Sequence, residues 1–187
     1  MVEFALVGPI FFVLLFGAVN GGLILFSINA ADQTANIGVQ QLAALGDYLG
    51  PPPAGSNMTN CQIGPNQCNA DEIALYKMQK TGLESTGNAK VVSYRITKLT
   101  YSQATHLLTT YTDINCPAPD GCYDLYTVAN QSWSGNWPPC GCGNRNTTSA
   151  NADYIRLDID YTYQWLFQSG AAVNLTATRV IRLEPQS

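Results

Sequence analysis

Charge is what the first part of this chain lacks. No charged residue or histidine occurs between Phe4 and Ala31, and no lysine or arginine precedes Lys77. The nine basic residues are scattered rather than clustered, and the formal net charge is −4. Nucleic-acid-binding proteins present a basic patch or stripe, so these absences argue against a nucleic-acid partner.

Signatures of catalysis and of metal binding are also missing. The single histidine, His106, has no G-x-S-x-G or other nucleophile motif to accompany it, and we expect an ordinary strand or loop residue. The cysteine spacings miss the pairs that bind zinc, and no C-x-x-C-H haem motif occurs. We therefore expect no catalytic residue, metal or cofactor. Calcium bound by acidic surface residues remains the alternative, at Asp158 and Asp160 or around Asp113, Asn115 and Asp120.

The six cysteines all lie outside the apolar segment, at Cys61, Cys68, Cys116, Cys122, Cys140 and Cys142. An even number in a turn-rich sequence indicates disulfides formed in an oxidising compartment. Short loops favour the pairs Cys61–Cys68 and Cys116–Cys122. Because one glycine separates Cys140 from Cys142, a bond between those two would be strained. Cross-links from them to Cys116 and Cys122 are therefore the alternative.

The uncharged N-terminal run predicts a membrane-length helix. Its roughly 30 residues would span about 45 Å as a helix, whereas a hydrocarbon core needs about 20 residues. The run is longer than the core of a cleaved signal peptide and no basic residue precedes it. A helical pattern continues to Gly50, before the prolines 51–53. Its apolar positions are Ala35, Val39, Leu42, Ala43, Leu45 and Leu49. We predict one helix over residues 1–50, apolar all round in its first half and amphipathic in its second.

Two features distinguish this helix from a plain anchor. Glu3 stands at the start of the apolar run, where a carboxylate is costly without a partner. Gly17 and Gly21 form a G-x-x-x-G next to Gly22, which lets helices approach closely, and Pro9 permits a bend. One interpretation is a generic anchor whose Glu3 lies among the headgroups. The other is a helix packed against copies of itself, with Glu3 neutralising a neighbour's terminal amine.

Residues 51–187 predict an exported, β-rich head. Asn69 and Glu72 form a capping box that would begin a helix with Ile73, Ala74 and Met78 buried. Alternation from Lys90 predicts a half-buried strand with Val92, Tyr94 and Ile96 on one face, and residues 125–128 resemble another strand. The fold class is α+β: a long hydrophobic helix, then an antiparallel sheet with disulfide-stapled loops, packed on the amphipathic half of the helix.

The strongest strand pattern runs from Tyr154 to Phe167, with odd-numbered apolar and aromatic residues sharing one face. The turn 168–170 then leads into a second strand, Val173 to Leu183, which makes an antiparallel hairpin. Four N-x-S/T sequons mark candidate glycosylation sites at Asn57, Asn130, Asn146 and Asn174. Trp133 and Trp137 could stack on sugars, but filling a small loop core is the favoured interpretation.

The two ends of the chain resemble a known family. The opening block Val2–Val7 (VEFALV) and Pro9, followed by the Ala/Gln-rich continuation, resembles the TadE-like pilins and pseudopilins of the tight-adherence branch of type IV-like pili. The hairpin within Ala152–Glu184 is similar to the closing strand pair of that family.

The resemblance implies a structural, non-enzymatic pilin. A prepilin peptidase would remove a short basic leader, and the assembly machinery would draw the protein from the cytoplasmic membrane into a surface filament of identical subunits. That filament would be extracellular and could serve adhesion. Assembly would rest on Glu3, Phe4, Pro9, Gly17, Gly21 and Gly22. The alternatives are a minor pseudopilin that primes assembly and a membrane-anchored carbohydrate-binding surface protein.

Overall fold

The elements of the fold follow the predicted order of a long helix and then a sheet. The computed structural model describes residues 2–46, 48–52, 54, 56, 58, 61, 67–81, 83, 87–137, 145, 153–166 and 171–183, and for residues 2–6 only the backbone. In this described part the helices are α1 (Val2–Leu45) and α2 (Ala70–Gln79). The strands are β1 (Leu49–Gly50), β2 (Cys68–Asn69), β3 (Ala89–Ser102), β4 (Leu107–Thr110), β5 (Tyr123–Thr127), β6 (Ser132–Gly135), β7 (Tyr154–Gln164) and β8 (Ala172–Arg182).

The main sheet has the strand order β6-β5-β3-β7-β8, and every neighbouring pair is antiparallel. β4 pairs with the C-terminal end of β3, and β1 pairs with β2 in a separate two-stranded sheet. β7 and β8 form the predicted C-terminal hairpin, with Tyr154 opposite Arg182 and Gln164 opposite Ala172. The α+β prediction is therefore confirmed.

One face of the sheet packs on the second half of α1 and on α2. The inward residues of β7 are fully or almost fully buried, and they are Ile155, Leu157, Ile159, Tyr161 and Tyr163. All of them except Tyr163 share one hydrophobic core with buried residues of α1 and α2, namely Ala31, Ala35, Val39, Leu42, Ala74 and Met78. The expected packing of the sheet on the amphipathic half of the helix is thus present.

Helix α2 begins with the predicted capping box. The Asn69 side-chain oxygen accepts a hydrogen bond from the Glu72 N–H at 2.8 Å, and the Glu72 carboxylate accepts one from the Asn69 N–H at 2.9 Å. Two N–H groups that the helix leaves without a helical partner are satisfied in this way. The predicted residues Ile73, Ala74 and Met78 are buried.

The C-terminus of α1 corrects the predicted helix length. The helix ends at Leu45 rather than at Gly50, because Gly46 adopts a left-handed φ of 55° that favours glycine. The Gly46 N–H still donates to the Leu42 carbonyl at 2.9 Å, and the Tyr48 N–H donates to the Leu45 carbonyl at 2.8 Å. Leu49, predicted on the helical stripe, instead lies exposed in β1.

Two strand predictions also need correction. A bulge in β3 between Val91 and Ser93 buries Val91 and leaves Val92 45% exposed, contrary to the predicted alternation. The bulge inserts one extra residue into β3, so the side chains before it and after it do not follow one continuous alternation. Tyr94 and Ile96, after the bulge, are buried as predicted. β7 ends at Gln164, so Trp165 lies beyond the strand. Residue 167 and the turn 168–170 lie outside the described residues.

Candidate assembly and membrane surface

Most of the apolar surface in the first part of α1 is left uncovered by the described part of the protein, although Ser27 is buried. We call residues 7–28 the anchor segment; its length is about 33 Å at 1.5 Å per residue, enough to cross a hydrocarbon core of about 30 Å. Its exposed large side chains are Val7, Ile10, Phe11, Phe12, Val13, Leu14, Leu15, Phe16, Val19, Leu25, Phe26 and Ile28. α1 is long and apolar enough to span a membrane.

The predicted assembly residues with described side chains lie on this anchor segment. Pro9 lies within α1, and a Cβ built at Gly17, Gly21 or Gly22 would meet none of the described atoms outside the nearby helix backbone within 4 Å. The glycines therefore leave an open notch on the exposed surface. For Glu3 and Phe4 the structure gives helical backbone, and their side chains lie outside the described part.

The head contacts α1 at Asn20 and at positions farther toward the C-terminus of the helix, which we call the upper part of α1. The Leu166 N–H, just beyond β7, donates to the Asn20 side-chain oxygen at 3.4 Å. Farther along the helix Arg179 of β8 forms an ion pair with Asp32 at 3.0 Å and donates to the Asn36 side chain at 2.9 Å. The described large side chains of α1 before Asn20 are thus mostly exposed, whereas the part of α1 after Asn20 is covered on one side.

A buried cluster of charges fixes the upper end of α1 to the head. Arg145 pairs with both carboxylate oxygens of Asp71 and donates to the Gly46 carbonyl at 3.4 Å. The Arg145 guanidinium also stacks on Trp137, 4.5 Å from the ring centroid. Burial raises the pKa of the Asp124 carboxyl to about 9, with the charge and hydrogen bond of Asp71 adding to the rise and Arg145 lowering it. Asp124 is therefore protonated at neutral pH.

The disulfides use the two short loops that the sequence favours. Cys61 is joined to Cys68 and Cys116 to Cys122, whereas residues 140 and 142 lie outside the described part. Carboxylates lie near both pairs, from Glu72 and Asp113 respectively. Metal ions bind thiolates, and the sulfur atoms of these pairs are already bonded to each other.

The acidic residues considered for calcium are engaged with protein groups. Asp158 accepts from Arg156 at 2.9 Å and from Thr178 at 2.7 Å. Asp160 accepts from Ser93 at 2.9 Å and from Thr176 at 2.7 Å. Near the second disulfide the Asp113 side chain accepts from two backbone N–H groups, and Asp120 pairs with Arg95. These contacts give each carboxylate a structural role in the head.

The remaining candidate residues have ordinary environments. Asn130 and Asn174 are exposed, while the sequons at 57 and 146 lie outside the described residues. Trp137 is buried and the partly buried Trp133 lies 5.3 Å from the Tyr126 ring, which favours the loop-core interpretation over a sugar platform. His106 lies in the β3–β4 turn, where its Nδ1 is 2.9 Å from the Tyr101 hydroxyl.

Sequence reasoning missed the cluster around Arg145 and the contact of Arg179 with α1. Asp124 and Tyr126 are two residues apart on β5, so their side chains face the same side of the sheet. Tyr126 packs against the core, and this alternation was the available signal that Asp124 is buried. Neither the partner of Arg145 nor that of Arg179 has a local signal, because 74 and 143 residues separate them from Asp71 and Asn36.

An uncovered, membrane-length helix joined to a disulfide-bonded antiparallel head defines a membrane-anchored protein of the α+β class. Residues 1–40 match the family described as TadE-like protein, which confirms the resemblance found at the start of the sequence. The match covers most of α1 and indicates a protein associated with the Tad pilus. No curated protein and no solved structure shows significant similarity to the chain.

Proposed function

We propose that this protein is a pilin, a structural and non-catalytic subunit that polymerises through the anchor segment into a Tad-like surface filament. The observation that carries the proposal is the uncovered apolar surface of residues 7–28 within the segment that matches the TadE-like family. Apolar surface of this extent costs about 25 cal/mol per Å² in water, so it needs lipid or other copies of the helix around it.

The selectivity for filament over membrane has to come from packing and charge. Lipid is as apolar as a neighbouring helix, so hydrophobic burial alone does not favour assembly. The notch at Gly17 and Gly21 allows close backbone approach. Glu3 would neutralise the terminal amine of a neighbouring subunit, since a carboxylate in an apolar bundle needs a counter-charge. Phe4, Pro9 and Gly22 would shape the same contact surface.

The remaining parts of the proposal follow from this arrangement. Residues 1–50 would form the filament core and the contact with the head, and residues 51–187 the exported outer surface. A prepilin peptidase and the pilus assembly machinery would act on the membrane-inserted precursor. The disulfides of the head, Cys61–Cys68 and Cys116–Cys122, would form in an oxidising compartment after export. Adhesion would be a property of the assembled filament.

Piliation of variants in the anchor segment tests the proposal. Glu3→Ala and Gly17→Leu should be expressed and inserted in the membrane, yet should give few filaments, because they remove the counter-charge or fill the notch. Gly17→Ala is the matched control, since a small residue at that position preserves close approach. The measurement is electron microscopy of sheared filaments with mass spectrometry of their main band.

Normal piliation by Glu3→Ala and Gly17→Leu would contradict the proposed packing. If the protein is a trace component of isolated filaments, the pseudopilin alternative is favoured. If detergent extracts give a monodisperse monomer and sheared fractions lack the protein, the membrane-anchored surface protein is favoured instead.

A further inference from the structure

The position of the head on α1 limits how far the head can stand from a membrane. A hydrocarbon core needs about 20 helical residues, and counted from Phe4, which follows the Glu3 carboxylate, these end near Leu23. The head already contacts α1 at Asn20, through the Leu166 N–H. The lower end of the described part of the head is therefore level with the edge of the hydrocarbon core when residues 4–23 span it.

The composition of this end of the head suits the headgroup region. Trp165 is partly buried against Tyr163, with the ring centroids 5.8 Å apart and the rings edge to face. Leu166 is 48% exposed. Tryptophan is enriched at membrane interfaces because one side of its ring is apolar while the indole N–H can bond to water or headgroups.

A groove opens at the same end of the sheet. Its volume is about 600 Å³, and its walls include Val92, Val128 and Ala129 with Lys90 beside them. The β3 bulge turns Val92 outward, and Ala89 at the start of β3 pairs with Tyr163 near the end of β7. Lys90 is exposed, and a lysine at this level is attracted to anionic lipids.

The side of α1 that faces away from the head stays apolar beyond the level of Asn20. Leu25 and Phe26 are each 61% exposed and Ile28 is 36% exposed. Exposed polar residues follow at Asn29 and Gln33. Leu25, Phe26 and Ile28 lie above Asn20 along the helix, so the apolar outer surface of α1 continues past the level where the head begins.

We propose that the base of the head, meaning Trp165, Leu166 and the groove beside Lys90, rests in the headgroup region of the membrane while the anchor segment is inserted. The partner is the lipid surface itself. The inference rests on the membrane-inserted precursor of the proposed function. Assembly into a filament would then require the base of the head to leave the lipid as well as the helix.

Tryptophan quenching by brominated lipid tests this contact in the full-length protein. The protein is reconstituted into vesicles of phosphatidylcholine and phosphatidylglycerol, with part of the phosphatidylcholine brominated near the headgroup end of its acyl chains. Emission of the wild type should fall by up to about one third, because one of its three tryptophans lies at the interface. The Trp165→Phe variant should lose this quenching, and the matched control Trp133→Phe should keep it.

A second variant pair separates lipid contact from a local structural effect. Leu166→Glu should weaken the quenching of Trp165, because a carboxylate disfavours the interface. Leu107→Glu changes a similarly exposed leucine at the opposite end of the sheet and should leave the quenching unchanged.

Flotation of the vesicles distinguishes a failure of this inference from a failure of the proposed function. Protein that floats with the vesicles but shows no quenching dependent on Trp165 would overturn the inference and leave the proposed function standing. Protein that does not float with the vesicles would overturn both.

Discussion

Two carboxyl groups beside one guanidinium make the interior of the head sensitive to single-residue changes. Asp71 and Asp124 are 1% and 2% exposed, and Arg145 is 9% exposed. Burying a charge is costly unless it is paired. Arg145 pairs with Asp71, and burial keeps the proton on Asp124. The cluster joins Gly46 at the end of α1 to α2 and β5.

Replacing Asp124 by asparagine should remove a pH dependence of stability. The pKa of Asp124 is raised from 3.8 to about 9, so the folded state binds more protons than the unfolded state between these values. The stabilisation is fully present below about pH 4 and is lost as the pH rises toward about 9. Thermal unfolding in detergent at several pH values should show this loss in the wild type and a flatter profile in Asp124→Asn.

The surface variant Asp120→Asn is the control for this measurement. Asp120 pairs with Arg95 at the surface and its side chain is 61% exposed, so its removal should leave the pH profile close to that of the wild type. Equal slopes for wild type and Asp124→Asn would contradict a buried, protonated carboxyl.

Gly38 is a second residue whose identity is decided by its neighbours. A Cβ at this position would overlap Met78 Sδ and Leu157 Cδ2, so Gly38→Ala should destabilise the protein by about 1–3 kcal/mol through overpacking. At Gly22 no described atom outside the nearby helix backbone lies within 4 Å of a Cβ. Gly22→Ala should therefore raise helix stability by up to about 1 kcal/mol. Melting temperatures in detergent compare the two, and a Gly38→Ala variant as stable as Gly22→Ala would refute the close packing.

At the scale of elements, α1 is one continuous helix in two environments. The described large side chains of its lower part, before Asn20, are mostly exposed, and its upper part, toward the C-terminus, supplies Ala31, Ala35 and Val39 to the core. Because most helix stability in proteins comes from tertiary packing, the upper part depends on the head. We expect the lower part to depend on lipid or, as proposed, on other copies of the helix.

The short helix α2 depends on its N-cap. Asn69→Ala removes the side-chain acceptor of the Glu72 N–H and should cost about 1 kcal/mol, within a range of about 0.5–2. Asn69→Asp should retain most of the stability because a carboxylate also caps a helix N-terminus. Chemical denaturation of the three proteins measures the difference. Identical midpoints for Asn69→Ala and the wild type would show that the cap contributes nothing.

At the scale of the whole molecule, the second half of α1 belongs to the core of the head. Buried side chains of α1 contact the core residues of β7 and α2, and Arg179 links β8 to Asp32. A head cut at residue 51 would expose the inner face of the sheet. Most of the anchor segment, in contrast, contributes little to this core.

Truncation should therefore separate the two roles of the helix. A chain of residues 29–187 keeps the core residues of α1 from Ala31 onward, and we expect a soluble monomer that unfolds cooperatively. A chain of residues 51–187 lacks Ala31, Ala35, Val39 and Leu42, so it should aggregate or bind hydrophobic dyes. Size-exclusion chromatography and circular dichroism compare the two. A cooperatively folded 51–187 chain would contradict the role given to α1 in the core.

Local patterns in the sequence were sufficient for most elements of the fold. Period-two alternation predicted the buried face of β7 and its hairpin with β8, and the capping box predicted the start of α2. The anchor segment was also evident, because a long uncharged run is visible without any knowledge of contacts. These features depend on residues that are close together along the chain.

Only the tertiary structure decided the rest. The bulge at Val92 and the burial of Arg145 between distant elements have no reliable local signal. Hydrophobic periodicity specifies which face of an element is buried, but it does not specify its partner or register. The sequence by itself determined that part of α1 must be removed from water. The contact of Leu166 with Asn20 decided where along that helix the head begins, because that position depends on how the sheet packs on α1.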